Sequence, residues 1–449
     1  MQRVKERERG QAGPAEMIDL KEKFADRSAV VSVIGLGQVG LSLALELAQA
    51  GFFVWAHDTS KSRLDVLAQG RSYLSNVPHE RVRSFVDEGR LCVAEADDCL
   101  VKSQAIVLCV PTPLTDQREP QLSFLKSACE TIARHVRKQT LVVVESTTYP
   151  GVTQDVLLPL LESSGLVVGR DLYLAFSPER VDPGNPQFHI KNTAKVISGA
   201  TPRCLEMIAA FYGEVMDQLV PVSSTQAAET VKLLENTFRA VNIALVNEIS
   251  LAARKMGVDP FEVVQAAATK PFGFMPFYPG PGLGGHCIPI DPLYLSYKLR
   301  ELDHEPRLIA AADAINRDMP QHVLGRATEL LAQQKKGLRG CRTLVYGVAY
   351  KPDIDDTRES PSLEILALLQ ASGAKVSFSD PYVPELRIAE TLIQRAPVDG
   401  SFAAFDLVIV ATNHSQLPRA RMLREARLIL DTRGAFRGQK NGTSKVFSL

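Results

Sequence analysis

Val30-Val31-Ser32-Val33-Ile34-Gly35-Leu36-Gly37-Gln38-Val39-Gly40 decides the fold. A β-branched run enters three glycines spaced G-x-G-x-x-G, and Leu41–Ala50 continues at helical spacing until Gly51. A strand that turns through such glycines into a helix opens a dinucleotide-binding α/β sheet. Gly35 allows the tight turn, Gly37 lets backbone approach a pyrophosphate, and Gly40 allows close packing of helix on strand. The helix N-terminus then offers partial positive charge to the phosphates. Phe52–Ala56 reads as a second strand, and Asp58 follows it where a carboxylate takes the ribose hydroxyls. That carboxylate also repels the extra phosphate of NADP. At ~4 Å and an effective dielectric near 20, one such charge pair costs about 4 kcal/mol, roughly a thousandfold in affinity. NAD is the expected cofactor. Lys61 and Arg63 can soften the preference, and Arg63 reads equally well as a solvated helix charge.

Working outward, Ala105–Val110 and Leu141–Val144 read as buried strands with a helix over Leu122–Arg137 between them. Leu172–Ala175 and Ala194–Ile197 extend the series. Alternating strands and helices imply a doubly wound parallel sheet over residues 28–222. Ser223–Met256 holds apolar residues at helical spacing with no proline. Ser223 or Ser224 suits its N-cap and Gly257 its C-cap, so a long spine helix is expected. Another helix follows Asp259-Pro260, and more helix runs from Pro306 to about Gln334. Between them, the Pro/Gly-rich stretch Pro271–Pro292 cannot be a regular element, and such segments are usually functional. These pieces make a central helical domain, 223–335. Strands at Arg342–Val348, Lys375–Phe378, Leu407–Ala411 and Leu428–Leu430, with a helix over Pro361–Ser372, make a second α/β domain, 336–449. The expected fold class is α/β, with two Rossmann-like doubly wound parallel sheets joined by a long central helix and a small helical domain. Residues 1–27, rich in Arg, Glu and Lys, read as a solvated, partly disordered leader.

The chain has 449 residues, 45% hydrophobic and 23% charged, with Lys+Arg and Asp+Glu balanced at 51 each. That balance argues against binding of nucleic acid or anionic membrane through net charge. Seven scattered cysteines without C-x-x-C point away from disulfide and metal frameworks and toward a reducing cytoplasm. No apolar run approaches the roughly 20 residues of a membrane span.

Gly284-Gly285-His286-Cys287-Ile288-Pro289-Ile290-Asp291 carries the chemistry. It sets one cysteine between open glycine backbone and a rigid proline, with a carboxylate four residues on. A thiolate can add to an aldehyde, and the thiohemiacetal can lose hydride to give a thioester. The other six cysteines read as small buried hydrophobes. His286 reads as structural, since neighbours in a loop often point apart. Lys232 and Asn236 share a face of the spine helix, with Arg239 three residues on. An inward lysine could stabilise an oxyanion; on pattern alone the three read as a solvated stripe. Glu145-Ser146-Thr147-Thr148-Tyr149-Pro150-Gly151 and Ser177-Pro178-Glu179-Arg180 follow buried strands, where ligands gather in parallel sheets, although either could be simple turn chemistry, as could Asp182-Pro183-Gly184-Asn185.

Together these residues resemble the nucleotide-sugar (UDP-glucose/GDP-mannose) dehydrogenase family, over about residues 28–440. The most specific piece is Gly284–Asp291, which matches G-G-x-C-x-P-x-D. The resemblance implies oxidation of the C6 hydroxyl of a nucleotide-linked hexose to a carboxylate, with two NAD+ and no free aldehyde, in a dimer or higher homo-oligomer. It implies Cys287 as nucleophile, Lys232 as oxyanion stabiliser, Asn236 on the sugar or a catalytic water, and Asp291 as acid/base through water. Thr148 would hold that water and Glu179 would assist thioester hydrolysis. Gly35, Gly37, Gln38, Val39, Gly40, Asp58, Arg63, Thr112, Thr147 and Arg358 would meet NAD. Glu179, Arg180, Lys232, Asn236, Tyr278, Gly284, Lys351 and Arg433 would meet the UDP-sugar. The stretches Ser177–Asn185 and Tyr278–Cys287 look more like members acting on N-acetylated sugars, so UDP-N-acetylglucosamine is the favoured substrate, and UDP-glucose or another UDP-hexose or UDP-N-acetylhexosamine the alternative. Arg180 or Arg239 could hydrogen-bond an acetyl carbonyl.

Two other functions compete. A two-electron hydroxyacid dehydrogenase of related architecture would need no cysteine. A non-catalytic NAD-binding scaffold would need none of Cys287, Lys232, Asn236, Asp291 and Glu179, all of which are present.

Overall fold

Val30–Ile34 is β1, near the middle of an eight-stranded sheet. Its partners are β2 (Phe53–His57), β3 (Leu91–Val93), β4 (Ala105–Leu108), β5 (Thr140–Val144), β6 (Leu172–Phe176), β7 (Lys195–Gly199) and β8 (Leu219–Pro221). The order across the sheet is β3-β2-β1-β4-β5-β6-β7-β8. It reverses between β1 and β4, where a crevice for a ligand opens at the carboxyl ends of the strands. The computed structural model describes residues 19–449 except 75, 95–96, 183–184, 186, 389–390 and 440–444. The leader up to residue 18 and Pro183-Gly184 of the Asp182–Asn185 turn lie outside the described residues.

Two expectations change. Asp19–Arg27 is not solvated leader: Leu20–Ala25 is a helix whose Leu20 and Phe24 are buried. They stand four residues apart, on one face, and the Phe24 ring lies 5.1 Å from that of Phe211. The sheet, moreover, is not parallel throughout. β6 and β7 run antiparallel, pairing Phe176 with Ser198, and the described residues of 177–194 that join them hold no crossover helix of the kind a parallel pair needs. β4, β5 and β6 are buried along their whole length.

The second sheet is parallel, in the order β10-β9-β13-β14-β15. Its strands are β9 (Arg342–Tyr346), β10 (Lys375–Ser379), β13 (Leu407–Val410), β14 (Ile429–Asp431) and β15 (Val446–Ser448). A small antiparallel ribbon, β11 (Arg387–Ile388) with β12 (Thr391–Leu392), stands apart. The first turn of the amino-terminal sheet is repeated here. Gly35 has φ +89° and Gly347 φ +82°. Leu36 N–H donates to Asp58 Oδ2 at 2.7 Å, and Val348 N–H to Asp380 Oδ2 at 2.7 Å. At Asp380 the remaining room is taken by His414 Nε2 at 3.1 Å, whose Nδ1 accepts from Asp353 N–H at 3.0 Å. That carboxylate therefore braces residues 347–353 instead of a ribose.

Thr225–Lys255 is the spine helix, 31 residues long, about 46 Å at 1.5 Å per residue. Ser224 caps it, accepting from Ala227 N–H. It packs against helices Asp291–Glu301 and Arg307–Gln333. No helix among the described residues is long and apolar enough to cross a membrane.

Candidate active site

The glycine turn fits a dinucleotide. A Cβ on Gly35 would lie 2.7 Å from the Cys109 carbonyl oxygen, and one on Gly40 would lie 1.9 Å from that of Gly35. A Cβ on Gly37 would meet nothing within 4 Å. Gly37 also begins the helix Gln38–Ala50 without a side-chain cap, so backbone N–H groups stay open toward a phosphate. The two glycines therefore separate experimentally. Gly40→Ala is expected to lower stability by about 1–3 kcal/mol, read as a fall in Tm. Gly37→Ala should leave Tm unchanged and weaken NAD binding, measured by calorimetry.

Asp58 accepts from Leu36 N–H and from Ser60 N–H at 2.8 Å, with lone pairs left for ribose hydroxyls. Arg63 reaches Asp58 Oδ2 at 3.3 Å and lies 5.6 Å over the Tyr73 ring. It is exposed but tethered to the carboxylate at the end of β2. Thr112 is buried and its carbonyl accepts from Tyr294 O–H at 2.8 Å. Gln38 and Val39 start the glycine-turn helix, and Thr147 stands beyond β5 on the same carboxyl-end side of the sheet. Arg358 forks onto Asp356, and its carbonyl accepts from Gly285 N–H at 3.0 Å, which ties it to the cysteine loop.

Cys287 and Asp291 are held by one turn: Ile290 and Asp291 N–H both donate to the Cys287 carbonyl, at 3.1 and 2.8 Å. Asp291 is the first residue of its helix and is buried, and Asn236 Nδ2 donates to its Oδ2 at 2.7 Å. Burial pushes the Asp291 carboxyl up to about 6, against the pull of Lys232 and Asn236. Burial also pushes the Cys287 thiol up, more than Lys232, Arg358 and Arg239 lower it. Lys232 is buried too. Burial works to remove its proton, but the charges of Cys287, Asp291, Glu179 and Glu145 prevail and hold its pKa above the usual lysine value. The stripe on the spine helix is thus inward-facing at Lys232 and Asn236, whereas Arg239 is exposed. Burial, with Arg358 and Lys232, keeps His286 below the usual histidine value.

The glycines beside the cysteine serve a purpose different from the expected open access. A Cβ on Gly284 would lie 2.6 Å from Tyr350 Cβ, and one on Gly285 2.8 Å from the Tyr350 ring. The carboxyl-terminal domain presses on the loop there, and only glycine leaves it room. Arg433 does the same at Gly280, whose Cβ would collide with its guanidinium. Arg433 Nε donates to the Ala411 carbonyl at 2.9 Å, and burial pulls its pKa down to about 10. Lys351 contacts Asp182 at 2.6 Å, and Tyr278 stacks on Phe261 with ring centroids 6.3 Å apart. Arg180 corrects an expectation. Its guanidinium donates to both Glu235 oxygens, at 2.6 and 3.2 Å, and to the Ala194 carbonyl at 2.8 Å, so it is engaged within the protein and is a poor partner for an acetyl group.

Several residues escaped the sequence reading. Glu229 is buried and accepts from Thr148 Oγ1 (3.1 Å), Gly151 N–H (2.6 Å), Thr153 N–H (2.9 Å) and Thr153 Oγ1 (2.7 Å). It lies three residues before Lys232, hence on the same helix face, which was the available signal. Because the Thr148 proton is committed to Glu229, Thr148 can meet a water only by accepting from it. Asn247 and Asn316 form a second clamp: Asn247 Nδ2 donates to Asn316 Oδ1 (3.0 Å), and Gly280 N–H donates to Asn247 Oδ1 (2.9 Å). Glu145 and Lys195 pair at 2.5 Å beside Glu179. A lysine at the head of an otherwise largely apolar strand was the available signal for them.

Three family models match: the UDP-glucose/GDP-mannose dehydrogenase NAD binding domain at residues 29–216, the central domain at 226–318 and the UDP binding domain at 344–438. The UDP-N-acetyl-D-glucosamine 6-dehydrogenase of Pseudomonas aeruginosa is 33% identical over 392 residues, 86% of this chain and 90% of that protein. An NDP-N-acetyl-D-galactosaminuronic acid dehydrogenase of Ralstonia nicotianae is 30% identical over 91% of this chain and 97% of its own. The solved UDP-D-ManNAc dehydrogenase of Pyrococcus horikoshii superposes with a TM-score of 0.85 at 30% identity, covering 93% of this chain and 98% of its own. With its NAD turn, its cysteine loop and its UDP-binding domain accounted for along one chain, this protein belongs to the UDP-glucose/GDP-mannose dehydrogenase family, a family of NAD-dependent nucleotide-sugar dehydrogenases.

Proposed function

We propose that the protein oxidises the C6 hydroxyl of UDP-N-acetylglucosamine to the uronate, in two steps through a thioester on Cys287. The observation that carries the reading is the enclosure of Cys287, Lys232 and Asp291 together, with Asn236 fixing the carboxylate at 2.7 Å. NAD, when bound on the glycine turn, supplies the hydride acceptor for both oxidations. The chain's residues handle the protons and the oxyanions. Asp291, ionised above about pH 6, takes the C6 hydroxyl proton through a water that donates to Thr148. Once Asp291 has passed that proton to solvent, it takes the Cys287 thiol proton through water as the sulfur adds to the aldehyde carbon. The Lys232 ammonium stabilises the resulting oxyanion. After the second oxidation water attacks the thioester, Glu179 takes its proton, and the Cys287 thiolate departs. Arg433, whose guanidinium is held by a backbone carbonyl, suits a diphosphate.

The acetylated sugar rests on the resemblance of Ser177–Asn185 and Tyr278–Cys287, and is supported by relatives named for acetamido sugars, beside which stands a matching UDP-glucose dehydrogenase. Arg180 adds nothing to it. NADH counted at limiting substrate tests the reading. Two NADH per UDP-N-acetylglucosamine, with little from UDP-glucose or UDP-N-acetylgalactosamine, are expected. Two per UDP-glucose would overturn the sugar, and one per substrate the thioester.

We further infer a cytoplasmic homodimer through the spine helix. Leu234, Phe238, Leu245 and Ile249 are exposed along it, at 60%, 45%, 52% and 42%. Their spacings of four, seven and four form an apolar seam. Light scattering should return about twice the 49.1 kDa chain mass, and Leu245→Glu should return the chain mass.

A further inference from the structure

The antiparallel junction between β6 and β7 has a chemical outcome. Phe176 pairs with Ser198 and Ala175 with Gly199. Continued three residues beyond β6, that register sets Lys195 opposite Glu179. In a parallel β7 the first residue would stand at the amino end of the sheet, away from ligands. Reversal of the strand delivers it to the carboxyl end, where the site lies.

What gathers there is a buried row of alternating charge. Lys195 Nζ is 2.5 Å from Glu145 Oε2, 3.6 Å from Glu179 Oε2 and 3.4 Å from the Pro178 carbonyl. Tyr212 O–H donates to the other Glu145 oxygen, and Lys195 Nζ lies 5.5 Å from the centre of the Tyr212 ring. All four side chains are buried. Glu179 Oε1 accepts from Val181 N–H. The titratable groups facing Glu179 are Lys195 on β7, Glu145 beyond β5, Cys109 beyond β4, Tyr212 on the helix Pro202–Tyr212, and Lys232 on the spine helix. Lys232 is itself shared with Cys287 and Asp291. Lys195 is shared instead between Glu145 and Glu179.

We propose that Lys195, anchored by Glu145 and Tyr212, is a positioning residue that keeps Glu179 in place at the cleft as the base for thioester hydrolysis. The proposal rests on the thioester reading above. Each part has a task. Glu145 and Tyr212 fix the ammonium in place, and the ammonium stands as an ion pair 3.6 Å from one Glu179 oxygen. The Val181 N–H holds the other. Without the lysine, Glu145 and Glu179 face one another inside the protein with no cation between them. Such a carboxylate pair takes up a proton more readily, and a protonated Glu179 cannot accept one from water. A merely structural ion pair would give up stability on mutation and leave the pH dependence alone.

Lys195→Met, Lys195→Arg and the double change Glu145→Gln/Lys195→Met test this. The double change removes both charges of the pair and keeps the variant foldable if the single one is not. Rapid quench with UDP-N-acetylglucosamine and NAD, followed by intact-mass detection of acylated Cys287, separates hydride transfer from hydrolysis. For Lys195→Met the NADH burst is expected within about twofold of wild type. Thioester decay should slow at least tenfold, with its acid limb moved about one unit to higher pH, so that acyl-enzyme accumulates. The double variant, which has no carboxylate pair, should slow thioester decay through the lost placement of Glu179 but leave the acid limb near its wild-type position, and Lys195→Arg should recover most of the loss. Folded variants that hydrolyse at the wild-type rate and with the wild-type pH profile would overturn the proposal. A second readout is independent of the chemistry: 13C titration of the carboxyl resonances that vanish in Glu145→Gln and Glu179→Gln. In Lys195→Met the pair should take up a proton at higher pH than in wild type. Coincident curves overturn the proposal whichever route the reaction takes, whereas shifted curves in an enzyme that forms no acyl-Cys287 uphold Lys195 and overturn the thioester.

Discussion

Cys287→Ser is expected to lower uronate formation by about a thousandfold or more, with Tm and NAD affinity unchanged. The size follows from what surrounds the sulfur. Burial already holds the thiol above its usual pKa, and Lys232 is the first of the charges that offset this. A serine hydroxyl starts far higher, so the same ammonium cannot ionise it. A hemiacetal formed by serine would also leave an ester in place of a thioester, a poorer substrate for water. Nothing else changes, because the loop is shaped by Gly284 and Gly285 against Tyr350 and not by the sulfur. Uronate is measured by mass spectrometry at saturating NAD, alongside single-turnover NADH. Uronate formed by the variant at anything near the wild-type rate would remove the covalent route. The two-electron hydroxyacid alternative, which needs no cysteine, would then return to consideration.

The parts of the site that could be read from sequence are those set by local chain geometry. Gly35, Gly37 and Gly40 stand at fixed offsets in one turn, where a Cβ would clash at Gly35 and Gly40 and meet open space at Gly37. The four-residue separations of Lys232 from Asn236 and of Cys287 from Asp291 survive because one helix and one turn hold them. What was hidden depends on elements far apart in the chain. Gly284 and Gly285 do look like loop glycines, but their neighbour Tyr350 lies more than sixty positions on, in another domain. Arg180 looked free for an acetyl group because Glu235, its partner, sits on the spine helix. Lys195 was passed over because its importance rests on β7 running backward, and strand direction leaves no pattern of period two or 3.6. The helix Leu20–Ala25 was missed because the charges of the leader outweighed two apolar residues four apart.

Asp291→Asn should stabilise the protein and nearly silence it. The carboxyl is pushed from 3.8 to about 6 in the folded chain, chiefly by burial. Between these values the folded state binds more protons than the unfolded, so stability falls as pH rises. The stability present below about pH 4 is therefore lost as pH climbs through 6. A shift of about two units is worth about 3 kcal/mol at neutral pH. Asparagine keeps the shape and removes the charge, so its advantage should be absent at pH 4 and full at pH 8. Denaturant melts of both proteins across that range test the sign. Activity should move the other way. Only the ionised carboxylate can take the C6 proton, so the acid limb of wild-type kcat should fall near pH 6, and the variant should lose about a hundredfold or more, at the lower end for general-base catalysis. Lys232 sharpens the case: Asp291 is one of the charges that hold its proton, so the change weakens the oxyanion site as well as the base. A variant no more stable than wild type at pH 8 would mean that Lys232 and Asn236 already compensate the buried charge. A variant that kept its activity would place the proton acceptor elsewhere, and Glu179, the next buried carboxylate facing Lys232, would be the group to change.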